Sequence, residues 1–170
     1  MSTFNYPHYP DLKNRTVLIT GGGSGIGAAF VEAFVRQESQ VAFFDIQEES
    51  SLELVRKLAT INQKPLFVKC DVTDINALRK AVAEVENKLG AVRVLINNAA
   101  NDERHEPGDV TPEYWEQQLR VNFSHHFFAA QAVKPEMAKA GGGAIINMGS
   151  ISWHMWIAKE VALGLLGPPL

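Results

Sequence analysis

An α/β fold, a parallel sheet wound with helices on both faces, is what this sequence predicts. Three observations carry that expectation. Short apolar runs alternate with stretches of helical period along most of the chain. The apolar runs are nearly continuous rather than alternating, the pattern of strands covered on both sides. Repeated strand–helix–strand units close with right-handed crossovers, which gives a doubly wound sheet. The chain has 170 residues, the length of about one domain with a real core.

The elements follow in order. Thr16–Thr20 is rich in β-branched residues and runs into glycines, so it reads as the first strand. Gly25–Gln37 sets Ile26, Phe30, Phe34 and Val35 on one helical face. Gln40–Asp45 reads as the second strand, and Ser50–Ile61 as a helix with Leu52, Val55, Leu58 and Ala59 at helical spacing. Leu66–Cys70 is the third strand. Thr73 or Asp74 can cap a helix ending near Leu89, with Leu78, Val82, Val85 and Leu89 apolar. Val92–Asn97 is the fourth strand. Thr111-Pro112 makes an N-cap and N1 pair for one long helix reaching about Ala140, which Gly141–Gly143 stop. Ala144–Met148 is the fifth strand. Met1–Asp11 reads as a loosely held arm.

Composition narrows the function classes. Lys plus Arg is 16 and Asp plus Glu is 19, a net charge of −3. That balance argues against a nucleic-acid or anionic-membrane partner. The single Cys70 excludes a disulfide framework and a paired-cysteine zinc site. No apolar run reaches the roughly 18 residues of a membrane span, and no secretory signal is visible, so a cytoplasmic setting is expected.

The chemistry begins at Thr20-Gly21-Gly22-Gly23-Ser24-Gly25-Ile26-Gly27, between the first strand and the first helix. Glycines there allow positive φ and a close backbone approach to a pyrophosphate, whose oxygens the helix N-terminus attracts. Without a ligand the same residues make a tight βα turn. No Gly-Lys-Ser/Thr follows, which speaks against a triphosphate loop. Asp45 ends the second strand, 18 residues beyond Gly27. A carboxylate there can accept from both ribose hydroxyls of NAD and repels a 2′-phosphate. The bland role for Asp45 is to cap the next turn. Ile46–Ser51 contains no Arg, which favours NAD over NADP. The turn alone also fits a methyltransferase that uses S-adenosylmethionine.

Three further stretches separate these readings: Cys70-Asp71-Val72-Thr73, Asn97-Asn98-Ala99-Ala100 and Asn147-Met148-Gly149-Ser150, each after a strand. With the glycine turn they resemble the short-chain dehydrogenase/reductase family, in order and in register, over about Leu12 to Trp153. The resemblance implies a Rossmann-type sheet of order 3-2-1-4-5 and a dinucleotide-binding domain over 12–153. Its cofactor set is Gly21, Ser24, Gly25, Ile26, Gly27, Asp45, Ile46, Asp71, Val72, Asn98, Ala99 and Ala100. Asn122 matches the family's catalytic Asn, which orders a water, and Ser150 its catalytic Ser, which holds the substrate oxygen. The family's base is a Tyr phenolate with a neighbouring Lys, and hydride passes to the nicotinamide. Asn97–Glu103 with Arg104-His105, Tyr114-Trp115 and Gly149–His154 are similar to bacterial NAD-dependent sugar 1-dehydrogenases of the D-xylose kind. That implies a small polyol or aldose as substrate, and the family implies a homo-oligomer.

The sequence also departs from the family. No Tyr follows Tyr114, so the Tyr-x-x-x-Lys motif is missing. Residues 154–170 form an atypical tail. The sequence reads as truncated relative to the family, frameshifted, internally deleted or engineered, with a non-catalytic dinucleotide-binding fragment or damaged homologue as the alternative function. Lys159 and His154 stand at no matching position. Ala100 replaces a usual Gly near the cofactor, and Glu38-Ser39 replaces a usual Gly-Ala turn, which predicts a less relaxed helix end. His125-His126 is expected to pack rather than bind metal, because adjacent helical residues diverge. Asp102-Glu103-Arg104-His105-Glu106 is either a solvated loop or a polyol-recognition cluster. Cys70 reads as a small core residue. The fifth strand is expected to leave an apolar edge.

Overall fold

A computed structural model describes residues 7–103 and 106–150. The five strands are β1 (Thr16–Thr20), β2 (Gln40–Asp45), β3 (Leu66–Lys69), β4 (Val92–Asn97) and β5 (Ala144–Asn147). They form one parallel sheet in the order β3-β2-β1-β4-β5, as the sequence predicts. The helices are α1 (Gly25–Arg36), α2 (Glu48–Leu58), α3 (Ile75–Leu89), α4 (Pro112–Leu119) and α5 (His125–Lys139).

Burial on both faces explains why the interiors of the central strands are mostly apolar. All five residues of β1 are buried. Val17 and Ile19, with Val41 and Phe43 of β2, meet Val31 and Val35 of α1 and Val55 and Leu58 of α2. Leu18, Ala42, Phe44 and Leu95 face the other way, onto Leu78, Val82 and Val85 of α3 and Ala129, Val133 and Met137 of α5. Alternate residues of a strand thus feed two separate cores, and neither face can be polar.

Several local expectations change. On α1 the buried positions are Gly27, Val31 and Val35, while Ile26 is 65% exposed and Phe30 and Phe34 are half-buried. On α2 the buried face is Ser51, Val55 and Leu58, and Leu52 and Ala59 are exposed. α1 carries apolar residues around more than half its circumference, so spacing alone does not set which stripe meets the sheet, whereas on α2 Leu52 lies at the edge of a narrower apolar stripe. The caps agree better: the Asp74 carboxylate accepts from the Asn76 and Ala77 N–H groups, and the Thr111 hydroxyl from Tyr114 N–H. The long helix is not continuous. A π-helical segment, Arg120–Ser124, separates α4 from α5. β3 stops at Lys69 and β5 at Asn147.

The turn after α1 bears out the expected strain. Glu38 has φ +60, a conformation suited to glycine. Neighbouring bonds hold it there: its carbonyl accepts from Asn14 N–H at 2.9 Å, and Ser39 Oγ donates to Leu12 O at 2.8 Å. The Lys13–Glu38 ion pair at 2.6 Å is exposed and adds little. Residues 7–9 are tied to the same turn through Gln37, which accepts from Tyr9 N–H and donates to Pro7 O. Glu38→Gly is expected to raise the Tm by about 2–4 °C in a thermal melt.

His125 lies fully buried at the start of α5, its ring edge-on to His126 at a centroid distance of 4.4 Å. Burial, with a lesser contribution from His126, pushes the His125 imidazole down to about 3, and burial lowers His126 as well. The folded chain then refuses a proton that the unfolded chain accepts near pH 6.5. Stability contributed in this way by His125 is lost as pH falls from 6.5 toward 3, by up to about 1.4 kcal/mol per pH unit. Chemical denaturation of wild type and His125→Gln between pH 7 and 4 should show a shallower acid loss in the variant.

Candidate functional site

A cleft of about 430 Å³ opens at the carboxyl ends of β1, β2 and β4. The order 3-2-1-4-5 puts the topological switch point there, between β1 and β4, since the crossover leaving β1 runs to β2 and the one leaving β4 runs the opposite way to β5. Gly21, Ser24, Gly25, Ile26 and Gly27 line it from the turn between β1 and α1. Asp45 and Ile46 line it from the end of β2, Asp71 and Val72 from beyond β3, and Asn98, Ala99 and Ala100 from beyond β4. All twelve residues that the resemblance nominated for the cofactor therefore share one cleft. Phe44, Gln47, Cys70, Asp102 and Val121 line it too and were not nominated.

The turn owes its shape to side chains on other strands. The Asn98 carboxamide donates to Thr20 O and Gly21 O, each at 3.0 Å. The Thr20 hydroxyl oxygen accepts from Asn98 N–H at 2.9 Å and from Ala99 N–H at 3.0 Å. Gly21 has φ +66, and a Cβ there would meet Ala99 Cα at 2.8 Å. A Cβ on Gly27 would run into the Gly21 carbonyl oxygen and stand 2.7 Å from Asn98 Nδ2. These two glycines let the first turn of α1 close on β4. The N-terminus of α1 and the exposed Ser24 then face the cleft, a fit for anionic oxygens.

Asp45 is 9% exposed and bonded on both oxygens. Oδ2 accepts from Gly23 N–H and Oδ1 from Gln47 N–H, both at 2.8 Å. Each oxygen keeps capacity for a further donor. Asp71 is exposed, and its Oδ1 takes both the backbone N–H and the hydroxyl of Thr73. Cys70 is buried, and burial pushes its thiol up to about 11, so it is an inert thiol.

Neither Asn122 nor Ser150 lines the cleft. Asn122 sits inside the π-helical segment, buried, with its carboxamide committed. Its oxygen accepts from Asn101 N–H at 2.8 Å, and its nitrogen donates to Asn101 O at 3.1 Å and Gln118 Oε1 at 2.9 Å. This staple holds the chain beyond β4, and spacing gave no sign of Gln118 or Asn101 as its partners. Ser150 lies two residues past Met148, whose N–H donates to Asn97 O. The Asn97 and Asn147 side chains pair across β4 and β5 at 2.8 Å. Of the charged loop, Asp102 reaches the cleft, while Arg104 and His105 lie outside the described residues, as do His154 and Lys159 of the tail.

Gly27→Ala should cost about 1–3 kcal/mol in denaturant unfolding, because the Cβ meets backbone that cannot rotate away. A melt indistinguishable from wild type would contradict this packing.

Comparison with known proteins agrees with this geometry. A family model described as short chain dehydrogenase matches residues 15–162. A protein assigned as galactose dehydrogenase, GalD, in Rhizobium meliloti (strain 1021) is 53% identical over 146 residues, 85% of this chain and 57% of that protein. The D-xylose 1-dehydrogenase of Caulobacter vibrioides (strain NA1000 / CB15N) is 48% identical over 153 residues, 90% of this chain and 60% of that protein. A solved structure from Sinorhizobium meliloti 1021, of a protein assigned as a short-chain alcohol dehydrogenase, superposes with a TM-score of 0.84 at 28% identity, covering 89% of this chain and 60% of that one. The chain thus spans under two thirds of the length of these relatives, and within that span it belongs to the short chain dehydrogenase family.

Proposed function

We propose that the cleft binds NAD, and that this chain supplies the dinucleotide-binding part of a dehydrogenase for a small polyol or aldose. The observation that carries this reading is Asp45. Its two carboxylate oxygens are each anchored by one backbone N–H, each can accept a further donor, and the residue lines the cleft. Paired ribose hydroxyls satisfy such a carboxylate, whereas a 2′-phosphate meets its charge without an Arg in 46–51 to offset it. The sugar dehydrogenases among the relatives support the substrate class.

A bound nicotinamide dinucleotide would supply hydride exchange with the carbinol carbon of the substrate. The chain's own residues would prepare that step. The glycine turn and the start of α1 would hold the pyrophosphate. Ile46 and Val72 would flank the adenine, with Asp71 and Thr73 shaping the loop beside them. The Ser150 hydroxyl would hold the substrate oxygen. The Asn122 carboxamide is committed to Asn101 and Gln118, so a water-ordering role falls to its backbone carbonyl. The Tyr and Lys that move the proton in this family have no counterpart at the spacing expected beyond Ser150. That favours, as a second reading, a module that binds the dinucleotide without turnover. Among the described residues no helix is long and apolar enough to cross a membrane, which fits a cytoplasmic protein. The outward Phe123 and Phe127 support assembly as a homo-oligomer.

Fluorescence titrations with NADH, NADPH and S-adenosylmethionine at fixed salt test the reading. NADH is expected to bind more tightly than NADPH, and Asp45→Ala to narrow the gap. Tighter NADPH or S-adenosylmethionine binding would overturn it. With aldoses, the 170-residue chain should turn over at least about 10²-fold more slowly than a family enzyme with its acid/base pair. Robust NADH production would refute the second reading.

A further inference from the structure

His125 is a buried titratable group that the functional reading leaves unused. Its surroundings are set by counting donors. Thr20 is fully buried, and its hydroxyl oxygen already accepts two backbone N–H groups, from Asn98 and Ala99. A hydroxyl has two lone pairs and one proton, so the proton is what remains to be placed. The polar atom that faces it is Nε2 of His125, at 3.4 Å, a long bond inside the core. Both Thr20 and His125 have no exposed surface, so water does not compete for that contact. For Nε2 to accept, it must be the bare ring nitrogen, and the ring proton must sit on Nδ1. The Val121 backbone, one turn earlier, is another polar neighbour of the ring, and Nδ1 makes no formed hydrogen bond, so the Thr20 contact is what distinguishes the two nitrogens.

We propose that His125 is a positioning residue for the dinucleotide cleft: its neutral imidazole takes the Thr20 hydroxyl proton on Nε2 and so turns both hydroxyl lone pairs onto the Asn98 and Ala99 amides. This rests on the reading that the cleft holds a dinucleotide. Asn98 and Ala99 line the cleft, and the Asn98 side chain closes the glycine turn. Without an acceptor at position 125 the Thr20 proton turns toward another partner, and one amide bond is lost. Asn122, three residues earlier and on the same side of the helical segment, holds Asn101 in the same loop. The stretch 122–125 therefore grips the chain beyond β4 at both ends, through Asn101 directly and through Thr20 at Asn98 and Ala99. A packing role alone requires only the ring's volume and is indifferent to which nitrogen carries the proton.

The first measurement uses the unliganded chain. Long-range ¹H–¹⁵N spectra at pH 7 should show His125 as the Nδ1–H tautomer with a bare Nε2, and Thr20→Val should shift that Nε2 resonance. An Nε2–H tautomer, a doubly protonated ring, or no response to Thr20→Val would overturn the proposal. The second measurement is NADH affinity. His125→Phe is expected to weaken binding about 5–10-fold, and His125→Gln, which restores an acceptor, to return it to within about 2-fold of wild type. In a Thr20→Val background His125→Phe should add less than about 2-fold. Equal losses in both backgrounds, or no loss, would overturn the proposal. If His125→Phe does not fold, the tautomer and its response to Thr20→Val decide. If wild type binds no NADH, the dinucleotide reading fails, while the tautomer still reports on His125.

Discussion

The Thr20 hydroxyl and the Asn98 carboxamide tie the carboxyl ends of β1 and β4 together, and the rest of the site hangs from that tie. Thr20 ends β1 and Asn98 follows β4, and each side chain satisfies two backbone groups at the other strand's end. The strand ladder between them reaches Ile19 and Ile96, and the bridge extends the tie past its end. The bridge brings the glycine turn against Ala99, leaves no room for a Cβ at Gly21 or Gly27, and points the start of α1 into the opening. Asp45 repeats the device on the other side, joining the end of β2 to Gly23. The cleft is thus walled by hydrogen bonds between loops rather than by the loops themselves.

Much of this was legible in the sequence. The strands are legible to within a residue, because short apolar runs are bounded by polar residues or glycines. The twelve residues that the motifs and the resemblance point to all line one cleft. The helix faces were less legible. Ile26 reads as a core residue by spacing, yet it sits at the mouth of the cleft, where an apolar wall is useful. Leu52 differs for another reason: it lies at the edge of the α2 apolar stripe, where helical spacing groups it with Val55 and Leu58 although it is exposed.

The break between α4 and α5 could not be read at all. Residues 111–140 hold a continuous helical period, and local propensity has no term for a π-helical turn. Its cause is tertiary: Asn122 must reach Asn101 while Gln118 backs it. Such segments recur at functional sites because the extra residue re-aims a side chain. His125 was legible as a packing residue, but its partner on β1 is 105 positions away in sequence, and only the fold brings the two together.

The place of β1 has a consequence for how the chain is made. It is the first strand in sequence and the central strand in space, paired to β2 on one side and β4 on the other. During synthesis β1, α1, β2, α2 and β3 emerge as a contiguous block whose strands are already neighbours in the sheet. β1 then presents an open edge until β4 arrives, some seventy residues later by the register of Thr16 with Val92. For that interval the nascent chain carries an apolar edge in need of protection. Loss of the opening residues through β1 would leave β2–β3 and β4–β5 as two separate pairs, whereas loss of β5 would remove a single flank. The information that organises the sheet is therefore concentrated at the amino-terminal end of the chain.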